Sequence, residues 1–147
     1  MTHYPPVSDL VLFKNAKVLS VSISNGESAL MLSLDNGEQV FLNTNSDCCS
    51  ETWFADIVGL DDLRGESVLG VERLPLPEWV NVEDGRGRQD FDDAYAYRLT
   101  TAKGDCDIIV RNSSNGYYGG DVYLHGKEEV WFETPTWRLV EGDEWSA

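Results

Sequence analysis

The chain has 147 residues, of which 26 are acidic and 11 basic, so its formal net charge at pH 7 is −15. Hydrophobic residues make up 41% of the chain and aromatic residues 11%, which is too apolar for a disordered chain, and we expect residues 1–147 to form one acidic, β-rich domain. The charge disfavours direct binding to nucleic acid or anionic membranes and favours basic partners, although acidity also serves solubility alone.

The first residues offer no targeting signal. Met1–Pro6 lack a charged region followed by an apolar stretch, as a signal peptide has, and no apolar run in the chain approaches the roughly 18 residues of a membrane span. We therefore expect a cytoplasmic protein. In that reducing compartment Cys48, Cys49 and Cys106 are expected to be free thiols.

Residues 17–43 carry the pattern of a three-stranded antiparallel meander. Apolar and polar side chains alternate over Lys17–Ser24, and Asn25-Gly26 follows as a strong turn signal. A second alternating run leads to the turn Asp35-Asn36-Gly37 and then to a third strand over Gln39–Asn43.

The next segment has a different spacing. The apolar residues of Ser50–Arg64 are spaced like a short helix or turn, and Leu60–Gly65 is typical of one helical turn closed by glycine. Ser67–Leu74 then predicts a strand that ends at Pro75 and Pro77.

A long polar loop precedes the second half. Residues 78–92 hold a dense mixture of charges and glycine, and a loop of that length in a compact domain is usually functional or mobile. Strands are predicted around Tyr95–Leu99 and Cys106–Val110, joined by a turn at Lys103-Gly104. A loop over Asn112–Gly120 and a strand over Val122–Leu124 follow, and Val130–Phe132 and Trp137–Val140 are candidate final strands.

These patterns together predict a mainly β fold, α+β at most, in which two antiparallel β meanders share one core with one short helix. Each half runs strand, tight turn, strand and corner, which is typical of a duplicated β unit but also arises without duplication. The expected core from the first meander is Leu19, Val21, Ile23, Leu30, Leu32, Leu34, Val40 and Leu42. The expected core from the second is Leu99, Ile108, Val110, Val122 and Leu124.

Two corners stand out, Ser46-Asp47-Cys48-Cys49-Ser50-Glu51 and Asn115-Gly116-Tyr117-Tyr118-Gly119-Gly120. In this order after β hairpins, they resemble a family of small uncharacterised proteins of bacteriophages and bacteria, which carries a Cys-Cys-Glu corner and an Asn-Gly-Tyr-Tyr-Gly-Gly corner. The second corner matches in full, whereas Ser50 interrupts the first. The resemblance covers about residues 17–125. It implies a β-rich fold and a phage-like origin, and it implies no catalytic residues.

The residues of the glycine corner permit two interpretations. Glycines at 116, 119 and 120 allow close approach of backbone amides to an anion, and Tyr117 and Tyr118 offer faces on which a base can stack. The simpler interpretation is a wide turn or bulge whose tyrosines cap the core, because a lone glycine-rich loop is weak support for phosphate binding.

Metal binding and catalysis find little support. Adjacent Cys48 and Cys49 do not have the spacing of a tetrahedral zinc site, and we expect no bound metal and no cofactor. The only histidines are His3 and His125, and no nucleophile elbow or phosphate-binding loop occurs. Pairs of carboxylates are expected by chance in so acidic a chain, so we expect a protein that is not an enzyme.

The first functional hypothesis is a phage-type inhibitor that blocks a host nuclease or defence protein through that protein's basic surface, as a mimic of nucleic acid. Its acidic candidates are Glu83, Asp84, Asp90, Asp92 and Asp93, with Trp79 and Phe91 as anchors. A second acidic group, Glu141, Asp143 and Glu144, lies beside Trp145. Arg86 and Arg88 interrupt the first group and count against a pure mimic of phosphates.

The alternative hypothesis is a binder or sponge of a small nucleotide-like molecule. Its candidate site is Asn115, Gly116, Tyr117, Tyr118, Gly119 and Gly120. The net charge opposes an anionic ligand unless backbone amides and Arg98 or Arg111 overcome it. An inert structural or virion-associated role is a third alternative.

Overall fold

A computed structural model describes residues 12–46, 51–75, 91–114, 120–125 and 136–142. Within these ranges the chain is mainly β, with one short helix. The strands are β1 (Val18–Ser24), β2 (Ala29–Leu34), β3 (Gln39–Ser46), β4 (Glu51–Val58), β5 (Gly70–Pro75), β6 (Phe91–Thr100), β7 (Asp105–Ser114), β8 (Gly120–His125) and β9 (Trp137–Leu139), and the helix α1 is Leu60–Leu63.

The strands form two antiparallel sheets, and each sheet contains one strand from the other half of the chain. The five-stranded sheet has the order β8-β3-β2-β1-β9 and the four-stranded sheet β4-β7-β6-β5. Thus β1–β3 and β5–β7 are two meanders, as the sequence predicts. The strand that follows each meander joins the other sheet, because β4 pairs with β7 and β8 pairs with β3. This is the pattern that two equivalent halves would give, and β9 falls outside it.

One core lies between the two sheets. Val21, Leu32 and Leu42 from the five-stranded sheet and Ile108 and Val110 from the four-stranded sheet are all fully buried in the same cluster. Burial of each such side chain stabilises the fold by about 1.5–3 kcal/mol. The predicted fold class, two antiparallel meanders with a shared core and a short helix, is therefore confirmed.

The expected core is confirmed except at Leu19. Buried as predicted are Val21, Ile23, Leu30, Leu32, Leu34, Val40, Leu42, Leu99, Ile108, Val110 and Val122, while the side chain of Leu124 is outside the description. Leu19 is 56% exposed and Val18 is fully buried instead. The pairing passes from Val18↔Leu34 to Ser20↔Ser33, so a β-bulge at Leu19 turns this side chain outward.

The helix-like spacing predicted over Ser50–Arg64 is wrong for its first part, where β4 runs to Val58. A second bulge explains the error. Phe54 pairs with Val110 and Asp56 with Ile109, so Ala55 is the extra residue. The bulge separates the core-facing residues Phe54 and Ile57 by three positions, and this imitates one helical turn. The predicted turn at Leu60–Gly65 is confirmed as α1, which Gly65 follows with φ +82°.

Several predicted loops are shorter than expected. Phe91 and Asp92, assigned to the loop over 78–92, begin β6, and Asn112–Ser114 and Gly120, assigned to a loop, belong to β7 and β8. These residues are polar or small, and they belong to strands because their backbones pair with a neighbouring strand. A pattern of apolar residues does not reveal such pairing. Residues 76–90 and the predicted strand 130–132 lie outside the described residues. The strand predicted at Ser67 begins at Gly70.

The outer face of the five-stranded sheet is covered in part by a tryptophan. Trp137 pairs with Ser24, and its ring centroid lies 6.1 Å from that of Phe41. Ser24 and Ala29 are buried on this face although their side chains are small. Small residues at these positions leave room for an indole to lie across the sheet.

Candidate functional site

The acidic candidate residues separate into a described and an undescribed group. Phe91, Asp92 and Asp93 lie in β6, where they pair with Ser114, Ser113 and Asn112 of β7. The other members of this set, Trp79, Glu83, Asp84 and Asp90, lie outside the described residues, as do Asp143, Glu144 and Trp145. The described acids thus stand in a paired strand beside the end of β7, although the sequence predicted Asp92 as the last residue of a loop and Asp93 directly after it.

The glycine-corner candidates continue from that same end of β7. Asn115, Gly116, Tyr117, Tyr118 and Gly119 lie outside the described residues. Gly120 begins β8 and pairs with Ser46, the last residue of β3. The acidic set and the glycine corner are therefore close to each other, because Phe91 pairs with Ser114 and Asn115 is the next residue after Ser114.

The strand exchange gathers the ends of both corners at one end of the sandwich. Ser46 pairs with Gly120, and Glu51 pairs with Ser113. Residues 47–50, which include Cys48 and Cys49, join β3 to β4, and residues 115–119 join β7 to β8; both stretches are outside the described residues. We call the described part of this region, Ser46, Glu51, Phe91, Ser114 and Gly120, the corner end.

Buried polar side chains accumulate near the corner end. Asn43, Thr52, Arg111 and Asn112 are each at most 5% exposed. The Asn112 amide Nδ2 donates to Thr52 Oγ1 at 2.8 Å across β4 and β7, on the core side of the sheet. A buried polar pair of this kind is costly to break, because the remaining partner stays desolvated.

Sequence reasoning missed this polar pair, although a signal for it exists. Cys106, Ile108 and Val110 alternate on the core face of β7, and Asn112 is the next residue in that series. A polar residue that continues an apolar series along a strand is expected to be buried with a hydrogen-bonding partner.

Arg111 lies on the opposite face of β7, away from the shared core. Its guanidinium carbon is 5.5 Å from the centroid of the Trp53 ring, and Trp53 is its partner in β4. Trp53 belongs to a second buried cluster with Ala55, Ala96 and Ile109. The arrangement places a 4% exposed cation against an aromatic face, where the attraction is stronger than in water.

Arg98, the other arginine considered for an anionic ligand, is held far from the corner end. Its Nε donates to Asp107 Oδ1 at 2.7 Å and its Nη2 to Asp107 Oδ2 at 3.0 Å. The hydrogen bonds with Asp107, followed by the charges of Asp107, Asp105 and Glu72, raise the pKa of Arg98 above its usual value despite partial burial. This guanidinium is thus already neutralised by carboxylates of the same sheet.

The remaining chemistry of the described residues is sparse. They contain no group of three His, Cys, Asp or Glu side chains placed to hold a metal ion, and Cys106 is a buried free thiol. Within the same ranges there is no helix with the length and apolar character to cross a membrane. His125 ends β8 opposite Phe41. The expectation that the chain is not an enzyme stays a prediction.

Comparisons with known proteins give a family and a viral relative. Residues 9–124 match the family described as "Domain of unknown function (DUF7448)". The chain is 30% identical over 122 residues to "Uncharacterized protein L278" of Acanthamoeba polyphaga mimivirus, an alignment that covers 78% of this chain and 91% of that protein. No solved structure matches the chain significantly.

Proposed function

We propose that this chain, which belongs to the DUF7448 family, is a non-catalytic acidic binding protein that inhibits a nucleic-acid-processing or defence protein of a viral host. It acts in the host cytoplasm by occupying a basic surface that otherwise holds nucleic acid. The observation that carries the proposal is the net charge of −15 on a fold whose described arginines are largely held by its own acids and rings.

Several basic side chains are bound by acidic or aromatic side chains of the same chain, and this supports a negatively charged surface. Arg98 binds Asp107, Arg64 binds Asp61, and Lys14 binds Glu38 at 2.7 Å. The guanidinium carbon of Arg73 lies 3.7 Å from the centroid of the Tyr95 ring. Cations held in this way do not form a patch for phosphates, whereas the surplus carboxylates remain to attract a basic partner.

The viral setting rests on two resemblances. The mimivirus relative is itself a viral protein, and the corner motifs of this chain resemble those of a bacteriophage family. A virus gains from blocking host nucleases, whose channels are basic. An acidic domain that approaches such a channel is steered by long-range attraction, and this raises its association rate.

We propose the corner end and the adjoining acids as the contact surface. Its acidic residues within the described ranges are Asp92 and Asp93 in β6 and Glu51 in β4, and Phe91 is its aromatic residue there. Glu83, Asp84, Asp90 and Trp79 extend the same set in the chain before β6. The carboxylates set the rate of encounter, and the aromatic residues set the lifetime of the complex.

The test starts from a partner captured from host lysate and then measures association and dissociation rates at several salt concentrations. The double variant Asp92→Lys/Asp93→Lys is compared with the control Asp35→Lys/Glu66→Lys, which changes the net charge equally at two sites away from the corner end. We expect the first to slow association at least about tenfold and the control to slow it much less. Phe91→Ala should mainly accelerate dissociation.

The proposal requires that DNA or RNA compete with the chain for its partner, and that binding weaken as salt rises, because the attraction between charges is screened over about 8 Å at physiological ionic strength. Equal slowing by both charge-reversal variants would assign the effect to total charge alone. Binding that is insensitive to salt and to nucleic acid would refute mimicry.

A second candidate function is supported by the position of Arg111. Of the two arginines considered for an anionic ligand, Arg98 is held by Asp107, whereas Arg111 lies in β7 four residues before Asn115. A small nucleotide-like molecule bound by Asn115–Gly120 would have this cation nearby. The test is a nucleotide-binding measurement on the wild type, on Tyr117→Ala and on Tyr118→Ala, with Tyr4→Ala as the control. Binding that survives both corner variants would refute this site.

A further inference from the structure

The last described strand, β9, differs from every other strand in its relation to the fold. It begins at Trp137, beyond the residues 9–124 that match the family. It pairs with the outer edge of β1, and among the described residues the equivalent edge strand of the other meander, β5, has no such partner. These two facts mark β9 as an addition to the family domain.

The connection to β9 is also unlike a hairpin. The preceding strand, β8, is at one edge of the five-stranded sheet and β9 is at the other. Residues 126–135 therefore link two edges that are about 19 Å apart, since neighbouring strands are spaced by about 4.8 Å. The strand β9 is therefore connected to the domain through a link from the opposite edge of the sheet. The meander β1–β3 is complete without it.

Residues 136–142, which we call the strap, bind β1 chiefly through the backbone. The Asn25 amide donates to the Thr136 carbonyl at 2.8 Å, and the Thr136 amide donates to Asn25 Oδ1 at 2.9 Å. Further along, the Val140 amide donates to the Val21 carbonyl at 2.8 Å. These bonds add an extended segment to an open sheet edge, which is a common mode of peptide recognition.

Two side chains anchor the strap. Trp137 lies half-buried on the outer face of the sheet, with its ring centroid 6.1 Å from that of Phe41. Val140 is 1% exposed and enters the shared core. Between them Arg138 and Leu139 are exposed. The pattern is that of a bound peptide with an aromatic anchor and a branched aliphatic anchor three residues later.

We propose that the edge of β1, together with Phe41, is a peptide-binding groove of the DUF7448 domain, and that the strap is its built-in occupant. The external ligand is an extended peptide with a large aromatic residue and a branched aliphatic residue three positions later. A basic residue between these anchors, as Arg138 is in the strap, suits a domain of net charge −15. The peptide displaces the strap and adds to β1 as a strand. The groove is independent of the acidic contact surface proposed above.

The experiment opens the groove in the complete protein. A protease site is inserted within residues 126–135, the chain is cut, and a fluorescent peptide with the sequence of residues 136–142 is added. We expect the cut protein to take up this peptide. The uncut protein should bind it at least about 100-fold more weakly, because the tethered strap competes at an effective concentration of the order of millimolar.

Peptide variants distinguish strand addition from nonspecific adhesion. Trp137→Ala and Val140→Ser in the peptide should each weaken binding at least about tenfold, because anchors dominate such interfaces. N-methylation at Val140 should do the same, since its amide donates to Val21. The matched control peptide carries Leu139→Ala, and its affinity should be nearly unchanged because that side chain is 52% exposed. Equal binding by all these peptides would overturn the proposal.

Hydrogen exchange in the uncut protein gives an answer even if the cut protein unfolds. If the strap opens by itself, the amides of Asn25, Thr136 and Val140 should exchange at least about 100-fold faster than those of the central pair β2 and β3. If these amides exchange only with global unfolding, or if the folded cut protein never exchanges its strap for peptide, β9 is an integral strand and the proposal fails.

Discussion

Among the turn glycines that the structure describes, Gly59 should be the least replaceable. It precedes α1 with φ +87°, and a Cβ placed on it would lie 2.3 Å from the carbonyl oxygen of Asp105. Gly37 and Gly65 have nearly the same backbone angle, +86° and +82°, but open space where a Cβ would be. The three positions therefore separate backbone strain from a collision with a neighbouring strand.

The expected magnitudes follow from this difference. Alanine in a left-handed conformation costs about 1–2 kcal/mol, so Gly37→Ala and Gly65→Ala should each lower the free energy of unfolding by about that amount. Gly59→Ala carries the same strain. In addition, the start of β7 must move by several tenths of an ångström, which disturbs the pairing at Asp105 and the packing of buried Cys106. We expect a total loss of at least about 3 kcal/mol.

Urea unfolding followed by circular dichroism measures these losses. With a slope of about 2 kcal/mol per molar urea, the midpoint of Gly59→Ala should lie at least about 0.5–1 M below that of Gly37→Ala at an unchanged slope. Losses that agree within about 0.5 kcal/mol at all three glycines would refute the close approach of Gly59 to β7.

Three further predictions concern side chains. Val18→Ala should destabilise the fold by about 1–3 kcal/mol, whereas Leu19→Ala should cost less than about 0.5 kcal/mol in the same urea titration; the reverse order would contradict the bulge. Thr52→Val should cost about 1–3 kcal/mol because it removes the acceptor of the buried Asn112 amide, and a neutral result would show that this hydrogen bond is not needed. Arg98→Gln should cost less than about 1 kcal/mol, and the loss should shrink in 1 M salt, since its ion pair is partly exposed; a loss that salt does not change would exclude an electrostatic origin.

Local pattern predicted the meanders but not the two bulges. The alternation over Lys17–Ser24 identified β1 correctly, yet one extra residue reversed the orientation of Leu19 and Val18. The same device in β4 gave core-facing Phe54 and Ile57 the spacing of a helix. A bulge depends on how two strands pair, so a pattern read along one strand does not contain it.

Pairing between distant strands was equally invisible in the sequence. Nothing in Trp53 or Val122 indicates that β4 joins β7 and that β8 joins β3, because periodicity specifies a strand and a buried face but no partner. The position of both corners at the same end of the two sheets follows from this pairing. Of the candidate site residues, Phe91, Asp92, Asp93, Gly120 and Glu141 have a described position, and the first four lie in strands where the sequence favoured a loop or its edge.

The reciprocal exchange of β4 and β8 has a consequence for synthesis on the ribosome. When β4 has emerged, its ladder partner β7 is still about fifty residues from being made, which corresponds to about 3–10 s of translation at 5–20 residues per second. During this interval the nascent first half has a strand with apolar residues such as Phe54 and Ile57 and no sheet to join. The first half therefore cannot complete its fold vectorially. Both halves must leave the exit tunnel before either sheet is whole, and a chaperone that shields β4 in this interval should increase the yield of folded protein.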